Sequence, residues 1–193
     1  MQPREINAFW SRTFPECPPI GFLFKHLYAD RWLRVQTLDS ENEHAESEEE
    51  LAEITRRLNA LIAEVFDLDS TLVLITTSYS ESESSVRDVP LLKPLDPNPV
   101  FMQSVGVHEL ALEFDSPTYW HLFVSERENA PGGLDRLVRL AAQPSLTSGV
   151  INLILLGPES KRLLYVRSTS AEVVLDSTVA RDALQEKFAE LAD

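Results

Sequence analysis

At 193 residues and 44% hydrophobic content, the chain is long enough to bury one sizeable core. Its formal net charge of -14 argues against nucleic-acid and membrane partners, because so negative a surface repels phosphate backbones and anionic headgroups. Cys17 is the one cysteine, which excludes an intrachain disulfide and a multi-cysteine zinc site.

In chain order, Phe9, Trp10 and Phe14 share a helical face and predict a short amphipathic helix over 6–14, stopped by Pro15. Phe22, Phe24, His26 and Tyr28 then alternate with Leu23, Lys25 and Leu27. A similar run over 31–38 completes a predicted hairpin turning at Ala29-Asp30. Residues 39–46 are acidic and aperiodic, which predicts a solvated loop. Ser47-Glu48-Glu49-Glu50 forms a capping-box pattern, and Leu51, Ile54, Leu58, Leu61, Ile62 and Val65 follow at helical spacing, predicting a helix over 48–66. Residues 71–79 are β-branched and apolar and predict a buried strand.

Residues 80–85 are low-complexity, and Pro90, Pro94, Pro97 and Pro99 disfavour regular structure after them. Strands are predicted at 107–114 and 118–126, separated by Asp115-Ser116-Pro117. Leu134, Leu137, Val138, Leu140 and Ala141 predict a short helix, and 149–156 with 162–166 predict a hairpin around 157–161. A short strand at 171–175 and a final helix carrying Val179, Leu184, Phe188 and Leu191 close the chain. The expected fold is α+β, a single mostly antiparallel mixed sheet with peripheral helices. It forms one domain over 1–193, with a Ser/Glu- and Pro-rich loop or arm at about 80–99.

At Phe9-Trp10, Phe14-Pro15, Cys17-Pro18-Pro19-Ile20-Gly21 and Asp30-Arg31-Trp32-Leu33-Arg34-Val35, the chain resembles a family of bacterial proteins of unknown function. The resemblance implies an acidic helix, a late hairpin and a terminal helix, with no assigned chemistry. It also implies a basic segment after the tryptophan strand, where this chain carries Gln36-Thr37-Leu38-Asp39 and Ser40-Glu41-Asn42-Glu43. A cationic loop has become anionic. After the late hairpin the family pattern has a Tyr-Asp-Asp segment, and this chain has Tyr165-Val166-Arg167-Ser168-Thr169.

No glycine-rich nucleotide loop, nucleophile elbow or His-Glu-x-x-His pair occurs, so no catalytic residue and no cofactor is assigned. Cys17, His26, Asp30 and His44, or His108, Glu109 and Glu113, match no ligand spacing, and no metal is expected. Gly132-Gly133 precedes a helix, but Asp135 in its first turn favours an ordinary helix start over an anion site. Glu113, Asp115 and Glu126 are carboxylates that neighbouring strands could bring together.

Two candidate sites stand out. His26, Asp30, Arg31 and Trp32 around the first hairpin could hold a small ligand by charge and stacking, against the competing reading of a turn aspartate beside a core tryptophan. Residues 39–53 contain no lysine or arginine. Glu41, Glu43, Glu46, Glu48, Glu49, Glu50 and Glu53 could therefore present a concentrated negative field to a basic protein, against the competing reading of a solvated loop and helix start. The preferred expectation is a non-enzymatic protein-binding module, immunity- or antitoxin-like. A small-molecule-binding domain or enzyme at the first hairpin is the alternative, and a self-assembling subunit the third reading. Apolar runs far shorter than the roughly 20 residues that cross a bilayer, and a polar start, lead to the expectation of a cytoplasmic protein.

Overall fold

The computed structural model describes residues 1–38, 44–84, 93, 96–107, 118–143 and 152–191. Most of the strand predicted at 107–114, Glu41 and Glu43 of the acidic loop, and 85–92 and 94–95 of the arm lie outside the described residues. The same holds for the two candidate carboxylates Glu113 and Asp115.

Among the described residues, seven strands form one sheet, antiparallel at every pairing. In chain order they are β1 (Trp32–Gln36), β2 (Thr71–Ser80), β3 (Val100–Gly106), β4 (Tyr119–Glu128), β5 (Leu153–Gly157), β6 (Arg162–Val166) and β7 (Ser170–Val174). Their spatial order is β1-β7-β6-β5-β2-β4-β3. The last strand therefore pairs with the first, Trp32 facing Val174, and the sheet cannot close until nearly the whole chain is present. The architecture is α+β, as the element pattern predicts, with the sheet purely antiparallel.

Strand alternation sends side chains to two faces, and each face has its own core. Leu72, Leu74, Leu153, Leu155 and Leu164 pack against α3 (Glu48–Val65), α4 (Asp135–Ala141) and α5 (Thr178–Lys187). Val73, Ile75, Ile154, Leu156 and Leu163 pack against α1 (Pro3–Thr13) and the short α2 (Phe24–Leu27). The α3 helix starts where the capping pattern places it: the Ser47 hydroxyl accepts from the Glu50 N–H. On the other face, Ile6, Trp10 and Phe14 recur every fourth residue and are all buried.

The first predicted strand is wrong. Residues 21–23 form a 3-10 turn and Phe24–Leu27 a helical turn, so only the second arm of the expected hairpin is a strand. Phe24 and Tyr28 are four apart as well as in alternation, and a helical turn buries both while leaving Lys25, His26 and Leu27 outside. A long-range contact selects the helical option. Asn152, buried beside β5, accepts from the Gly21 N–H at 2.9 Å and donates to Pro19 O at 2.9 Å and Thr77 Oγ1 at 3.1 Å. At Gly21 the backbone presses on the Tyr165 ring, and a Cβ there would sit 2.3–2.5 Å from ring carbons. Cys17 belongs to this packed segment: burial pushes its thiol up to about 12, which keeps it protonated and unreactive.

The structure also adds a strand. Val100–Gly106 forms the edge strand β3, with a register shift between Phe101 and Gln103. At the opposite edge, the β1 residue Gln36 donates its N–H to Leu191 O at 2.6 Å, so the C-terminal segment caps that edge.

Candidate functional site

The acidic start of α3 is a rigid turn. Glu50 donates its N–H to Ser47 Oγ, and its carboxylate turns back to accept from the Glu46 N–H at 2.7 Å. Glu48 pairs at 2.8 Å with Arg139 of α4. Glu53 accepts two hydrogen bonds from Arg56 and one from Arg57 one turn further on, and these three bonds, those of Arg56 foremost, hold its carboxyl down at about 2. Glu46 and Glu49 are exposed, and their carboxylates make no ion pair or hydrogen bond among the described residues. Of the predicted acidic surface, three carboxylates thus serve the chain itself, while these two face water.

The Glu53 shift has a pH signature. Its folded value lies below the ordinary 4.5, so its contribution is present above pH 4.5 and is lost as pH falls through about 2. Glu53→Gln is expected to destabilise the chain at neutral pH by about 0.5 kcal/mol, since the pair is partly solvated. Thermal melts across the acid range should show the wild-type advantage shrinking towards pH 2; a gap that does not change with pH would contradict this role.

The four residues singled out around the first turn do not form one site. His26 is exposed on α2. Asp30 and Arg31 line one cleft of about 550 Å³ with Tyr28 and Asp176. The Arg31 guanidinium stacks over the Tyr28 ring at 4.8 Å and the Phe14 ring at 5.9 Å, with Nη1 3.4 Å from Leu175 O. Trp32, the first residue of β1, is committed elsewhere. Its indole N–H donates to Glu172 Oε2 at 3.1 Å, and Glu172 Oε1 accepts from Arg167 at 3.1 Å. Glu172 is 2% exposed, so this carboxylate is a buried brace between β1 and β7.

A polar cluster without a local motif joins the other end of the sheet. His121 on β4 is fully buried, with Nε2 2.7 Å from Ser80 Oγ on β2 and Nδ1 2.8 Å from Ser104 Oγ on β3. Both ring nitrogens are engaged by hydroxyls, and Ser80 Oγ also donates to Ser82 O at 2.8 Å. The imidazole therefore clamps three strands. The register signal that could have found it is the pairing of His121 with Ser78 and Ser104, which requires knowing which strands are neighbours. Asp96, fully buried and paired with Arg127 at 2.8 Å, has the same non-local character.

Among the described residues no group of three or more His, Cys, Asp or Glu is placed to hold a metal ion, and no helix is long and apolar enough to cross a membrane. Residues 9–192 match the family described as Domain of unknown function (DUF3885). The chain belongs to this family. The DUF3885 match begins inside α1 and runs past α5, so it takes in all seven strands, both helical layers and the Asn152, Glu172 and His121 contacts. No curated protein and no solved structure matches the chain. Membership in DUF3885 supplies no reaction, and function has to be argued from the site.

Proposed function

We propose that this chain is a cytoplasmic, non-enzymatic protein-binding module of a bacterial cell that engages a basic partner through the start of α3, in the manner of an immunity or antitoxin-like protein. The observation that carries the reading is the pair of exposed carboxylates Glu46 and Glu49, which have no ion-pair partner among the described residues and are held on a capped turn beside Glu48. A charge of -14 extends the attraction beyond this contact, because the summed field steers a cationic partner before it touches. Glu48 exchanges Arg139 for a partner's arginine at little cost, since an exposed ion pair is worth about 0–1 kcal/mol.

Affinity isolation from the native host tests this. The wild-type chain should retain a protein of positive net charge that high salt releases, and the Glu46→Gln/Glu48→Gln/Glu49→Gln variant should retain much less of it. Acidic residues in a first helical turn also favour the helix dipole, so a melting curve of the triple variant separates lost binding from lost helix. A stoichiometric partner held equally by the variant and in high salt would sink the reading.

A further inference from the structure

The cleft beside Arg31 brings an arginine, carboxylates and apolar side chains together. Arg127, Arg139, Arg162 and Arg167 each pair with a carboxylate. Arg31 makes no ion pair among the described residues, although it lines a cleft with three acidic side chains. One of these, Asp176, is taken by Arg162 at 3.0 Å. Glu16 and Asp30 line the cleft without an ion-pair partner among the described residues. The aromatic faces of Tyr28 and Phe14 hold the guanidinium in place without neutralising it. Tyr28 is itself 6% exposed, and its hydroxyl is buried with no hydrogen-bond partner among the described residues. Leu27, 39% exposed, and Pro15 supply apolar surface at the same place.

A simple anion entering this cleft meets Glu16 and Asp30, and a simple cation meets Arg31. A molecule carrying both charges a few bonds apart is complementary to both. We infer that the cleft binds a free α-amino acid with an apolar side chain: its carboxylate on Arg31, its ammonium towards Glu16 and Asp30, and its side chain over Leu27 and Pro15. The preceding turn gives the site a firm base, because the Arg31 N–H donates to Tyr28 O at 3.0 Å and Arg31 O accepts from the Leu175 N–H at 3.1 Å. This inference is independent of the α3 surface.

Isothermal titration of the full chain with L-leucine tests it, with N-acetyl-L-leucine and L-leucinamide as arms lacking one charge each. L-Leucine should bind saturably at one site, and each analogue at least about tenfold more weakly, as expected for loss of a charge-assisted hydrogen bond. Arg31→Gln should abolish binding. Since that change also removes a stacked side chain, Asp30→Asn at an exposed position is the second variant; it should weaken L-leucine and leave N-acetyl-L-leucine unchanged. No binding of L-leucine or L-phenylalanine at millimolar concentration to the folded wild type would overturn the inference, as would L-leucinamide binding as tightly as L-leucine.

Discussion

Asn152→Ala is expected to lower the unfolding free energy by about 3 kcal/mol or more, because it orphans three polar groups at once. The Gly21 N–H, Pro19 O and Thr77 Oγ1 all lose their bond to the amide, and Gly21 and Thr77 are buried away from water. The amide is also what ties the 18–21 segment to the middle of the sheet. Urea unfolding of the variant measures the loss directly. A loss below about 1 kcal/mol, the net value of a single ordinary hydrogen bond, would show that water replaces the amide and that the tether is dispensable.

Phe14→Ala should cost about 3–5 kcal/mol, the range for truncating a fully buried aromatic. Its ring is completely buried and lies 4.9 Å from Trp10 and 5.8 Å from Tyr28, so removal leaves a cavity that two large rings cannot collapse into. Phe14→Leu should recover most of that loss, since it keeps much of the volume. The double variant of Phe14 and Asn152 should lose less than the sum of the singles, because both residues anchor the same segment and it need detach only once. Strict additivity would mean that the two ends of the segment act independently.

Helix α3 was legible because local and tertiary signals coincide there: the Ser47 cap, the acidic first turn and the apolar stripe all favour the same element. The hairpin of β5 and β6 was legible for the same reason, with Lys161 at φ 56 completing its turn. Residues 22–28 were not, since their apolar positions fit two periods and the contact that decides between them comes from Asn152, far along the chain. The edge strand β3 escaped because Gln103 and Ser104 break its alternation and only β4 supports it. At the candidate sites, Asp30 and Arg31 do meet in one cleft, whereas Trp32 turns to Glu172 on a strand that no local pattern places beside it. His121, Glu172 and Asp96 are buried polar residues whose partners sit on other elements, so register is needed to see them.

In the proposed function, the capped start of α3 meets a basic protein through exposed carboxylates such as Glu46 and Glu49. The most direct test is the association rate between the chain and its co-purifying partner, followed by stopped flow as ionic strength is raised. Steering by exposed charge predicts a fall of at least about tenfold as the Debye length shortens from about 10 Å towards 3 Å, with the Glu46→Gln/Glu48→Gln/Glu49→Gln variant starting slower and showing a shallower dependence. An association rate that ignores salt and is the same for wild type and variant would contradict it.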